Sequence, residues 1–239
     1  MSEAGVAQAL LERRTIAAQA TLGASSDAIY RAALRAAQTL HLTGRVLEFG
    51  AGTGTFIQRL SAEGPVGILT GADLLPRPQR LPDSVNWIQA DLNLPLPCGD
   101  ESFDAIVSTE VIEHLENPRA VFREFSRLLR PGGYLLLTTP NQESIRSLAA
   151  LIVRGHHVAF LDESYPAHLT ALLRRDMERL CKEADFEPPR FSYTNDGAVP
   201  RVTALRWQTI SFGLLRGRLF SDNVVVVTRR LPRRADPCA

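Results

Sequence analysis

The chain has 239 residues, 45% of them hydrophobic, with 27 basic residues against 26 acidic and a formal charge of +1. That length carries one full-sized domain with small additions, and the even charge excludes a global electrostatic drive toward nucleic acid or membrane. Cys98, Cys181 and Cys238 form no CxxC pair or metal-ligand spacing, so a reduced, cytoplasmic setting is expected.

In chain order, residues 1–40 predict two Ala- and Leu-rich helices separated near residues 23–27, with Ser26 or Asp27 capping the second. The first breaks its apolar residues with Glu12, Arg13 and Arg14 and reads as an amphipathic helix, not a signal peptide. Five short apolar runs follow: 45–50, 66–74, 84–92, 103–109 and 134–140. Helical stretches at 54–63 and 117–130 lie between them, the second expected to stop at Pro131-Gly132-Gly133. Strands alternating with helices predict a doubly wound, mainly parallel sheet. After Pro140 come a helix at 143–153, a polar loop to 168 and a helix at 170–185. A strand at 191–194, an irregular segment at 195–220 and the strand NVVVVTRR follow, before a basic tail. No run approaches the ~18 apolar residues of a membrane span.

The sequence Glu48-Phe49-Gly50-Ala51-Gly52-Thr53-Gly54 ends the first strand and opens a helix. Glycines there let the backbone turn sharply beside a ligand. The dinucleotide fingerprint needs its last glycine where Thr55 stands, which weighs against NAD and a dehydrogenase. A carboxylate at Glu48 suits a ligand with an amine. Asp73, closing the second strand, can accept hydrogen bonds from both ribose hydroxyls. Asp91 can accept from an adenine amine, with Leu92 or Leu74 as an apolar wall. Each also has a structural alternative, as turn former, cap or turn glycine. Together the three strand ends suit the amino acid, ribose and adenine of one ligand.

VLEFGAGTG, GADL, QADLNLPLPCGDESFDAIVSTEVIEHLENP and LLRPGGYLLLTTPN resemble the class I S-adenosylmethionine-dependent methyltransferases. The resemblance covers residues 40–140 well and extends loosely to 230. It implies an α/β, Rossmann-like, seven-stranded sheet with an antiparallel last strand. The whole chain is then one methyltransferase domain: a helical extension (1–40), a donor-binding core (41–140), late elements and acceptor-site insertions (141–220), the last strand (221–230) and a flexible tail (231–239). The resemblance assigns Glu48, Gly50, Ala51 and Gly52 to the methionine part of S-adenosylmethionine, Asp73 and Leu74 to the ribose side, and Asp91 and Leu92 to adenine. Thr109 and Glu110 would face the methyl donor.

Methyl transfer is an in-line displacement that chiefly needs positioning, exclusion of water and a place for a proton. The cluster Glu110-Val111-Ile112-Glu113-His114 offers such groups, with Glu110 and Glu113 or His114 expected on one face of a helical turn. Catalytic candidates are His114, Glu113 and His168. The same residues resemble the metal cluster of small-RNA 2′-O-methyltransferases and some quinone-biosynthesis enzymes; the preferred assignment is metal-free. His156 and His157 are expected at the surface or on a lid. Segment 195–220 mixes Trp207, Phe212 and Leu214 with Arg201, Arg206, Arg216 and Arg218. It is expected to be a helix packed on the core, the alternative being a lid for an amphipathic substrate. The expected partner is a small-molecule acceptor, probed at oxygen: a hydroxylated natural product, quinone-like compound, sugar or lipid-linked substrate. No nucleic-acid platform is evident, and a homodimer is compatible with the sequence. The alternatives are an RNA ribose 2′-O-methyltransferase and a non-catalytic S-adenosylmethionine-binding protein.

Overall fold

A computed structural model of the protein describes residues 25–64, 67–165 and 167–232, together with 8, 9, 12, 14–16, 18, 19 and 23. The chain opens with helix α1 (Asp27–Thr39), preceded by helical backbone at the described residues between 8 and 19. Ser26 caps α1 by accepting from the Ile29 N–H. Then follow β1 (Arg45–Phe49), α2 (Thr55–Glu63), β2 (Ile68–Asp73), β3 (Asn86–Gln89) and β4 (Phe103–Thr109). A 3₁₀ turn (Ile112–His114) leads to α3 (Pro118–Leu128) and β5 (Leu129–Pro140). The late part holds α4 (Ile145–Arg154), α5 (Arg174–Glu183), β6 (Arg190–Tyr193), β7 (Ala198–Val199), β8 (Val202–Arg206), α6 (Trp207–Ile210) and β9 (Asn223–Arg229).

Seven strands form one sheet in the order β3-β2-β1-β4-β5-β9-β6. All neighbours are parallel except β9, which runs antiparallel to both β5 and β6. This is the Rossmann-like sheet with an antiparallel last strand. Its central strands are buried on both faces, so they read as apolar-rich runs. Alternation sends Leu47, Ile106, Leu135 and Leu137 to the core under α3 and α5. Val46, Val107 and Leu136 join the core under α1 and α2.

Two expectations change. Helix α3 ends at Leu128, before Pro131-Gly132-Gly133, because Leu129 already pairs with Phe103 of β4. The Pro-Gly-Gly lies inside β5, where the β4 register shifts and the Gly132 N–H donates to the Arg230 carbonyl at 2.9 Å. Segment 195–220 is not a helix packed on the core. It is a β7–β8 hairpin, the four-residue α6 and a 3₁₀ turn (Arg218–Phe220). Its apolar side chains stand in solvent, Phe212 at 96% and Leu214 at 85% of full exposure. All five residues of β8 are exposed, so no alternating pattern marked that strand. The tail from 233 lies outside the described residues. Among the described residues no helix is long and apolar enough to cross a membrane.

Candidate active site

The carboxyl ends of β1, β2 and β4 open onto a cavity of about 1050 Å³, at the upper end of the roughly 300–1,000 Å³ usual for small-molecule sites. Gly50, Asp73, Leu74, Asp91, Leu92 and Thr109 line one part of it. Glu110, Glu113, His114 and His168 line another. The sheet order thus brings together residues that the sequence scatters over more than a hundred positions.

The glycine loop is held tightly. Gly50 has φ +86°, and a Cβ there would meet Val111 Cγ2 at 2.3 Å. Gly52 has φ +47°, and a Cβ would sit 2.5 Å from the Gly23 carbonyl oxygen. Gly52 is therefore needed for the close approach of the N-terminal segment, and neither it nor Ala51 lies on the cavity wall. The Gly52 N–H donates to Asp73 Oδ2 at 2.7 Å and the Leu75 N–H to Oδ1 at 2.9 Å. These two bonds aim the Asp73 carboxylate, whose pKa burial nonetheless raises.

Glu48 also stands behind the wall. Its carboxylate accepts the Ile57 N–H in the first turn of α2, whose N-cap, Gly54, has no side chain to do so. Burial, then the neighbouring Asp73, pushes the Glu48 carboxyl well above its usual range. The folded protein thus binds this proton more tightly than the unfolded chain does. Its contribution is greatest below the unfolded value near 4.5 and declines as pH rises toward the folded one. Glu48→Gln keeps the acceptor and removes the decline. Its melting temperature is expected to gain on the parent's between about pH 5 and about pH 8, read by thermal denaturation.

Asp91 lies just past β3 and organises a turn: Oδ1 accepts the Asn93 N–H at 3.0 Å. Its Oδ2 is paired with Arg14 of the N-terminal helix. Arg14 also makes a bidentate pair with Glu116, at 3.0 and 2.7 Å. Arg14, which carried no motif signal, therefore clasps the roof over the adenine end of the expected donor site.

At the other end, Glu110 has the left-handed φ of +55° and stands before the 3₁₀ turn. This replaces the expected helical turn with Glu110 and Glu113 or His114 on one face. The Glu110 N–H donates to the Thr138 carbonyl at 3.1 Å, and Asn223 Nδ2 donates to its Oε2 at 2.7 Å. Oε1 is buried with no partner, and burial pushes the carboxyl up to about 7. Glu113, 1% exposed, accepts from Thr139 Oγ1 at 3.1 Å and leaves its own Oε1 unpartnered. Burial, then Glu110, raises its pKa well above the carboxylate range.

The backbone brings the second histidine in. Leu169 and Thr170 donate their N–H groups to the Glu113 carbonyl at 2.8 and 3.1 Å. His114 Nδ1 bonds the Ala167 carbonyl at 2.6 Å, and His168 Nδ1 bonds that of Ala159. A carbonyl only accepts, so each Nδ1 carries its proton and each Nε2 keeps a lone pair. The two rings are 4.6 Å apart. Burial lowers the His114 pKa, favouring the neutral base. One ligand atom each from Glu113, His114 and His168 lies within 4.8 Å of the others; the Glu110 carboxylate is not in this group. His156 and His157 are half-buried beside α4, His157 Nδ1 lying 2.9 Å from Ser147 Oγ.

A family model described as a methyltransferase domain matches residues 24–188. The chain belongs to this methyltransferase family. Among curated methyltransferases, it is 29% identical over 152 residues to a malonyl-[acyl-carrier protein] O-methyltransferase of Paenibacillus sp., covering 59% of this chain and 55% of that one. It is 33% identical over 153 residues to a ubiquinone biosynthesis O-methyltransferase of Xanthomonas oryzae pv. oryzae, covering 56% and 63%. The chain thus spans less than two thirds of these relatives' lengths. A 1,6-didemethyltoxoflavin-N1-methyltransferase of Burkholderia thailandensis, solved with its substrate and S-adenosylhomocysteine, shares the fold with TM-score 0.62 and 17% identity over 97% of this chain and 91% of that one.

Proposed function

We propose that this methyltransferase-family protein transfers a methyl group from S-adenosylmethionine to a hydroxyl oxygen of a small molecule. One observation carries the proposal: a single cavity has Asp73 and Asp91 on its donor wall and Glu113, His114 and His168 on its other. In this assignment the oriented Asp73 carboxylate receives the ribose hydroxyls. Asp91 receives the adenine amine, and Leu74 and Leu92 flank the ring. Bound there, the donor supplies a methyl group activated by its sulfonium charge. The acceptor oxygen forms the new bond to carbon as the carbon–sulfur bond breaks, S-adenosylhomocysteine departs, and the hydroxyl proton passes to Nε2 of His114. Burial of His114 keeps that nitrogen unprotonated near neutrality.

A second reading rests on the same cluster. Glu113, His114 and His168 form a donor set of one carboxylate oxygen and two imidazole nitrogens, suited to a divalent cation. The unpartnered Glu113 Oε1 fits that role. Such an ion would supply Lewis-acid activation of the acceptor hydroxyl.

Calorimetry is expected to show binding of S-adenosylmethionine and S-adenosylhomocysteine, and none of NAD. Labelled methyl groups are expected to appear in hydroxylated small molecules and not in an RNA oligonucleotide. Binding of NAD in place of both donor compounds would overturn the proposal. Dialysis against EDTA separates the two readings: activity survives if His114 alone takes the proton, and is lost and restored by Mg²⁺ or Mn²⁺ if a cation is held.

A further inference from the structure

Glu110 and His168 also wall a second chamber, of about 450 Å³, beside the donor cavity. The two share Ser26, Ile29, Glu110 and His168 as walls, so a group bound at His168 faces both. One side of the second chamber comes from the end of β5 and the start of α4. The other comes from 195–223, the segment whose outer surface carries Phe212 and Leu214.

Its walls mix polar and apolar surface and carry two ion pairs. Arg146 pairs with Asp222 at 2.9 Å and Arg206 with Asp196 at 3.2 Å. Asp222 also accepts the Ala198 N–H at 3.1 Å. Asn141, Asn223 and Thr203 add amide and hydroxyl groups. Among the described residues its apolar lining is Ile29, Pro140, Val158, Ala159 and Ala198.

These walls select among acceptors. An apolar chain or ring would displace water from two ion pairs and return no hydrogen bonds. An anionic group would find each guanidinium already facing a carboxylate, with Glu110 as a third acid against two arginines. A neutral polyol avoids both penalties, because its hydroxyls donate to carboxylates and accept from guanidinium without changing net charge. Glu110 Oε1, buried and unpartnered on the shared wall, is an acceptor waiting for such a hydroxyl.

We infer that the second chamber binds the non-reacting part of an uncharged, polyhydroxylated acceptor of the carbohydrate class, which presents one hydroxyl to His114 and His168. The inference rests on the methyl-transfer reading above and names its substrate class.

The test is calorimetry on the full chain saturated with S-adenosylhomocysteine. Methyl glycosides of hexoses and 6-deoxyhexoses are titrated in, with catechol and a malonate half-ester as comparators. At least one glycoside is expected to bind, and the comparators are not. Thr203 is exposed on the chamber wall, so Thr203→Trp fills the chamber without entering the core. It is expected to abolish glycoside binding and leave S-adenosylhomocysteine affinity unchanged. Arg206→Ala, which also leaves the donor site intact, is expected to weaken the glycoside by about tenfold, the loss of one charged hydrogen bond. Binding of no glycoside to the loaded protein, or unchanged glycoside affinity in Thr203→Trp, overturns the inference. Failure of the parent protein to bind S-adenosylhomocysteine overturns the methyl-transfer reading instead.

Discussion

Replacing His114 with alanine is expected to lower kcat by about 10²–10⁴-fold, the usual contribution of a positioned proton acceptor, with S-adenosylhomocysteine affinity unchanged. The imidazole is far from the ribose and adenine groups in function but shares their cavity. Its removal therefore separates chemistry from donor binding. The pH profile gives an independent reading. The neutral imidazole is the active form, so the rate climbs with pH through the His114 pKa and then levels. Burial, the largest influence on that pKa, moves it below 6.5, and the plateau is expected to begin on the acid side of the ordinary histidine range. A rate that instead keeps rising well above neutrality would assign the limb to another group. Glu113→Gln adds a sharper contrast. Burial, then Glu110, raises the Glu113 pKa well above the carboxylate range and so favours the protonated form; the isosteric neutral amide is therefore expected to cost little if no cation is bound. If a cation is held there, the same substitution removes an anionic ligand and is expected to abolish the EDTA-sensitive activity.

Asp73→Ala is expected to weaken S-adenosylhomocysteine binding by about 100-fold or more, since hydrogen bonds to a charged group contribute about 1.5–3 kcal/mol each and both ribose hydroxyls lose their acceptor. The substitution also removes the bond from the Gly52 N–H, a buried contact of 2.7 Å. An unpaired buried donor costs about 1–3 kcal/mol, so the melting temperature falls as well. Asp73→Asn keeps one carbonyl oxygen for the backbone and is expected to recover most of the melting temperature but only part of the affinity. Calorimetry and thermal denaturation on the same samples check both quantities. Equal loss of affinity and melting temperature in the two variants would mean that Asp73 acts only through the loop.

The fold was legible because its central strands are buried on both faces. VLEF, ILTGAD, FDAIVST and YLLLTTP are rich in apolar residues, and each lies in a strand of the sheet. Gly50, Asp73 and Asp91 were legible because strand ends in such a sheet converge on one edge. What the sequence hid has physical reasons. The end of α3 was set by pairing of Leu129 with Phe103 across the sheet, a partner no local signal names. Glu48 was expected at the ligand but serves the uncapped start of α2, because a glycine loop leaves that helix without a side-chain cap. Arg14 reaches Asp91 from 77 positions away, and nothing in the sequence around Arg14 announces such a partner. Strand β8 is exposed on both faces, so it has no hydrophobic period to read.

The place of β9 has a consequence for how the molecule is made. β9 is inserted between β5 and β6, and β6 has no other strand partner in the sheet. In a chain complete only through Phe220, α5 can still pack on α3 through the core, but β6 has no strand to pair with. The edge of β5 from Tyr134 to Pro140 remains unpaired until Asn223–Arg229 emerge. The second chamber would then lack part of its wall, since Asn223 lines it and bonds Glu110 on the boundary with the first. Assembly of the acceptor half therefore waits on Asn223–Arg229, and a chain lacking them would keep an open, aggregation-prone sheet edge.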